Sequence, residues 1–115
     1  MTRLMLSLVL IAGLVATARG DSDADTEIHA LIQAVAESEC EFSRNGSVYS
    51  AEAAAEHLEL KYSRGKRYAD SAEAFIDRLA RKNSWRGEPY QLICDGEAQP
   101  AGDWLTIRLE ALRSQ

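Results

Sequence analysis

Two histidines, two cysteines and a scatter of carboxylates are the groups in this chain that could do chemistry. His57 follows Glu56, and Glu52, Glu56 and Glu59 fall on one side of a helix, so a small carboxylate/histidine hydrolase is one reading. Any solvated helix face would give the same spacing. A zinc site needs two or more converging ligands. H-x-x-x-H and H-x-x-E patterns are absent, and His29 has Gln33 rather than an acid four residues on. His57 therefore reads as a helix-surface or tyrosine-paired histidine. No metal or cofactor is expected and no catalytic residue is assigned. Cys40 and Cys94 lie outside any C-x-x-C motif and beside no obvious base, which weakens a reactive thiol partnered by a histidine.

The strongest local signal is residues 40–49, CEFSRNGSVY. Asn45-Gly46 suits a two-residue type I′ turn, whose central positions both need positive φ. That turn sets Arg44 opposite Ser47, Ser43 opposite Val48 and Phe42 opposite Tyr49, with the aromatic pair on the inward face. Arg44 beside the hairpin tip could recognise a carboxylate or phosphate; the plainer reading is that Asn45 and Gly46 only make the turn and Arg44 pairs with a local acid. Asn45-Gly46-Ser47 also matches a glycosylation sequon, read as accidental.

Charge is uneven along the chain. Residues 61–86 carry eight basic side chains, Arg64, Arg67 and Arg86 among them, against Asp70, Glu73 and Asp77. The whole 115-residue chain nevertheless has a net charge of −5, which argues against a nucleic-acid binder. The basic segment is either a solvated face answered by acids of the same molecule or a patch for an anionic partner. Tyr68, Trp85 and Tyr90 lie near Arg64, Arg67 and Arg86, and these residue types are enriched at interface anchors. Arg44, Asn45, Arg64, Arg67, Trp85, Arg86 and Tyr90 are the candidate partner-binding residues.

The elements that must position these groups follow from pattern. Arg3, an apolar run over residues 4–15 and Ala16-Thr17-Ala18 make a secretory signal peptide. An uncleaved anchor is disfavoured because spanning a bilayer takes about 20 apolar residues. Residues 1–18 are expected to be removed, leaving no stable membrane span and a periplasmic protein. Residues 19–25 read as an acidic, flexible lead-in, and 26–115 as one domain. Two cysteines in an exported chain of this size are read as a pair, Cys40–Cys94.

Ile28, Leu31, Ile32 and Val35 stripe a first helix over 26–38. Ser50 caps a second over 51–62, ended near Gly65. Asp70 begins a third with Ala72, Phe75, Ile76, Leu79 and Ala80 inward. Residues 89–94 read as a third strand, 95–102 as a turn-rich loop, and Asp103 as the cap of a last helix with Trp104, Leu105, Leu109 and Leu112 inward. No internal repeat is visible. The expected fold is α+β: about four helices on a small antiparallel hairpin or three-stranded ribbon, clipped by one disulfide.

Three blocks carry a family resemblance: Cys-x-Phe-x-Arg-Asn-Gly, Ala-x-x-His-Leu followed by Lys-Tyr, and Gly-x-Pro-Tyr before the second cysteine. With these in residues 40–62 and 75–94, and Trp104-Leu105, the chain resembles a family of small exported Gram-negative proteins, a domain of unknown function often called YfeK-like. Trp85-Arg86 departs from the small polar residues expected before the glycine. The resemblance implies a fold and an exported address but no activity.

Taken together, the expectation is an exported, monomeric, non-catalytic binding or interaction module of the cell envelope. Its partner would be an envelope protein or an anionic ligand. An inhibitor or immunity-type protein of an envelope enzyme is the alternative, and the hydrolase ranks behind it.

Overall fold

The structure is a computed structural model that describes residues 21–83 and 87–115. The expected leader, Trp85 and Arg86 lie outside the described residues. Helix α1 spans Asp21–Glu37. It takes in residues 21–25, expected as a lead-in, because Ala24 is buried in the core and Asp25 accepts from the Tyr62 hydroxyl of the following helix. Ile28, Leu31, Ile32 and Val35 are all buried. A tight turn with Glu39 at φ 58° leads to β1 (Glu41–Arg44) and β2 (Ser47–Tyr49). Their register is Phe42 opposite Tyr49, Ser43 opposite Val48 and Arg44 opposite Ser47, as the Asn45-Gly46 turn requires.

Helix α2 (Ala51–Gly65) follows at once, with the Ser50 side chain accepting from the Ala53 N–H. A 3-10 turn over Lys66–Tyr68 precedes α3 (Ala72–Phe75), which is capped by Ser71 rather than Asp70. The helix widens into a π-helical turn over Ile76–Ala80. Phe75, Ile76, Leu79 and Ala80 of this segment are buried, as the stripe predicted.

The turn-rich stretch after Cys94 is not a loop. Asp95 and Gly96, at φ 52° and 81°, repeat the conformation of Asn45 and Gly46, at 52° and 80°. They join β3 (Gln91–Cys94) to a fourth strand, β4 (Glu97–Pro100). Helix α4 (Ala101–Arg113) starts directly after it, two residues before Asp103. The sheet is antiparallel in the order β2-β1-β3-β4. Its inner face places Phe42 and Leu92 against the helices, and its outer face leaves Glu41, Gln91 and Val48 exposed.

These elements form an internal repeat that the side chains conceal. Hairpin and helix recur with Gly46 matched by Gly96, Phe42 by Leu92, and Ala51 by Ala101, each fifty positions on. The β1–β3 pairing is centred on Phe42 opposite Leu92, with Glu41 opposite Ile93 and Ser43 opposite Gln91. An axis through that central pair exchanges the two units, so every position near one end of the strand pair has a counterpart at the other. Cys40 and Cys94 close one end in a disulfide, with Cα atoms 4.6 Å apart. Their counterparts at the opposite end are Tyr90 and Arg44.

Candidate functional site

Arg44 and Tyr90 stand one step beyond the last β1–β3 partners, on the inward side of the sheet, where α2 passes beneath. The alternation that buries Phe42 also turns Arg44 inward, while the β-turn at Asn45-Gly46 ends the strand immediately after it. Helix α2 then presents His57 and Lys61, four residues apart and hence on one face. Nη1 of Arg44 lies 2.8 Å from both Nδ1 and Nε2 of His57. Nη2 of Arg44 donates to the Tyr49 hydroxyl at 3.3 Å, with the guanidinium 4.9 Å from the Tyr49 ring centroid. Lys61 Nζ donates to the Tyr90 hydroxyl and to the Lys82 carbonyl, both at 3.1 Å. His57 Nε2 is 3.4 Å from the Tyr90 hydroxyl.

Arg44, His57, Lys61 and Tyr90 form one wall of a cavity of about 690 Å³, open to solvent. Arg64, Arg78 and Asn83 supply further polar lining, and Gly65, Tyr68 and Leu79 the apolar part. At Gly65, where α2 meets the π turn, a Cβ would lie 3.0 Å from Leu79 Cδ2, so Leu79 would have to shift. Among the described residues no carboxylate lies within ion-pairing distance of Arg44, Lys61, Arg64 or Arg78.

Concentrated positive charge and burial shift the titrating groups. Burial, then Arg44 and Lys61, pushes the His57 pKa down to about 4, so the ring is neutral at pH 7. Burial and Arg44 bring Lys61 down to about 8. Burial raises the Tyr90 phenol against the opposing pull of Arg44. The hydrogen bond from Arg44 lowers the Tyr49 phenol.

Of the residues picked out by sequence, Arg44, Arg64 and Tyr90 line this cavity. Asn45 sits in the hairpin turn, exposed. Arg67 lies over the Tyr68 ring, 4.9 Å from its centroid, and lines a separate cleft with Tyr62, Lys66 and Asp25. Sequence reasoning missed His57 and Lys61 as members of the cavity. The sequence reading of His57 as a tyrosine-paired histidine agrees with its place beside Tyr90, ring centroids 6.0 Å apart, while the Arg44 guanidinium is the neighbour it did not give. The carboxylates considered with His57 do not converge on it: Glu59 engages His29 at 3.0 Å instead. That contact belongs to a second polar seam between α1 and α2, in which Tyr62 donates to Asp25 at 2.7 Å. Among the described residues no group of three or more His, Cys, Asp or Glu could hold a metal ion.

The family model described as a family of unknown function, DUF5329, matches residues 22–113. The chain belongs to this family. It is 35% identical over 82 residues to the uncharacterized protein YfeK of Salmonella typhimurium, a match covering 70% of this chain and 68% of the relative. No solved structure matches. The three sequence blocks that carry the family resemblance meet in the cavity: Arg44 comes from the first, His57 and Lys61 from the second, and Tyr90 from the third.

Proposed function

We propose that this DUF5329 protein is an exported, non-catalytic binding module of the cell envelope whose cavity between β1, α2 and the Tyr90 segment takes an anionic ligand. The carrying observation is a concentration of cationic donors with no opposing acid among the described residues. Arg44, Lys61, Arg64, Arg78 and the Tyr90 hydroxyl all bring donors. The acceptors that meet them are the neutral His57 ring, two phenol oxygens and the Lys82 and Tyr68 carbonyls. Among the described residues no carboxylate lies at the cavity, so a bound carboxylate or phosphate oxygen would meet several cationic donors and no opposing charge. The Cys40–Cys94 disulfide supports an oxidising compartment and agrees with the leader read in residues 1–18.

The test is an amide NMR titration of the disulfide-intact chain with inorganic phosphate, acetate and benzoate. Saturable shifts at Arg44, Lys61 and Tyr90 are expected, weakening with added salt because part of the attraction is screened. In Arg44→Ala with Arg64→Ala the shifts should disappear. Absence of saturation with all three anions, or equal shifts in the double variant, would overturn the reading.

A further inference from the structure

Two neighbouring clefts answer their own charge. One sets Asp25 and Asp70 beside Lys66 and Arg67; the other sets Arg113 against Glu27 and Glu73, at 2.8 and 2.7 Å. The cavity beneath β1 is lined instead by Arg44, Lys61, Arg64 and Arg78, which meet no acid among the described residues. Its lining is also graded along the chain. Lys61, Arg64, Gly65 and Tyr68 recur at i, i+3, i+4 and i+7, so they share one side of α2 and of the turn that follows it. At the inner end, half-buried Arg44, His57 and Lys61 gather with the Tyr90 hydroxyl. Towards the other end Leu79 stands over Gly65, and the Tyr68 ring is 47% exposed. Lys61 and Tyr68 are seven positions apart, about 10 Å of helical rise.

Resting on the anion-binding reading of the same cavity, we propose that its ligand is a small amphipathic acid, with an anionic head at Arg44 and Lys61 and an apolar body running past Gly65 and Leu79 to the Tyr68 ring. A bare inorganic anion would meet the cations but leave the Leu79 and Tyr68 surfaces in water. A neutral apolar molecule would cover those surfaces and leave the cations unanswered. A carboxylate on a short hydrocarbon chain does both: the head accepts charge-assisted hydrogen bonds, and the chain takes apolar surface out of water. Arg64 and Arg78, both exposed, add attraction for the approaching acid. Their aliphatic stems extend the apolar lining while their charged ends stay in solvent.

The disulfide-intact chain is titrated with acetate, hexanoate and hexanol, followed by amide NMR. Hexanoate should bind on the order of tenfold more tightly than acetate, since each methylene fully buried adds up to about fourfold. Its additional shifts should fall at Gly65, Tyr68 and Leu79. Leu60 and Ile107 are exposed apolar residues that do not line the cavity, and equal shifts there would overturn the seat as unspecific adsorption. Equal affinities for acetate and hexanoate would overturn the apolar body and leave anion binding standing. Hexanol binding as tightly as hexanoate would overturn the acid head. No saturation with either acid would overturn both readings. Tyr68→Ala changes an exposed side chain and should lower the hexanoate-to-acetate affinity ratio about threefold. An unchanged ratio would overturn the contact between the body and Tyr68.

Discussion

The two histidines report opposite surroundings, and a proton titration followed by NMR separates them. His57 should titrate near 4, since burial, Arg44 and Lys61 all oppose its charged form. Partial burial opposes the charge of His29 too, but the hydrogen bonds to Glu59 and the Asp25 carbonyl, with both carboxylates nearby, outweigh it and raise its pKa. The stability that His57 contributes is therefore present above its unfolded value of about 6.5 and is lost as pH falls towards 4. The His29 contribution runs the other way, complete below about 6.5 and lost as pH rises through its raised pKa. Arg44→Ala should move His57 part of the way back up, since burial remains; an unchanged His57 would show that Arg44 does not act on it. In the sequence, His57 stands among glutamates and invites a search for acid partners. Its actual neighbours are thirteen and thirty-three positions away. Arg44 and Tyr90 were legible as candidates because hairpin register and residue type are local properties. Their meeting with Lys61 depends on how α2 crosses beneath the sheet.

At the level of elements, the two hairpins rest on glycines at φ 80° and 81° with open space around each. Gly46→Ala and Gly96→Ala should each cost about 1 kcal/mol through backbone strain alone, read as a lowered urea midpoint with unchanged slope. Ser50→Ala removes the oxygen that accepts the Ala53 N–H and should cost a similar ~1 kcal/mol. The first hairpin and the helix stripes were plain in the sequence because Asn45-Gly46 and the i, i+3, i+4 spacings are strong short-range signals. The second hairpin was hidden. Asp95-Gly96 is as good a turn, but Glu97, Ala98, Gln99 and Pro100 have weak strand propensity. They hold because β4 is an edge strand whose pairing is fixed by β3 and where a proline is tolerated. The repeat was hidden for the same reason: the two units share turn and register while their inward residues differ, Phe42 against Leu92 and Tyr49 against Gln99.

For the whole molecule, the α+β class, the helical cover and the cysteine pairing were readable from 115 residues, whereas the approximate two-fold arrangement was not. Cys40 and Cys94 are 54 positions apart, and closing a loop of that size stabilises by about 4 kcal/mol in the chain-entropy model. Cys40→Ala with Cys94→Ala should lower the unfolding free energy by roughly 2–4 kcal/mol, measured by chemical denaturation. An unchanged midpoint would mean that the β1–β3 pairing holds without the bridge. The far end of that pairing has no such covalent tie: Arg44, His57, Lys61 and Tyr90 hold it by hydrogen bonds that a ligand can compete for. The bridge also joins the first hairpin–helix unit to the second by a route independent of the backbone around Lys66–Tyr68. If a protease nicks the chain there, the fragments will migrate together on electrophoresis without thiol and part only after reduction.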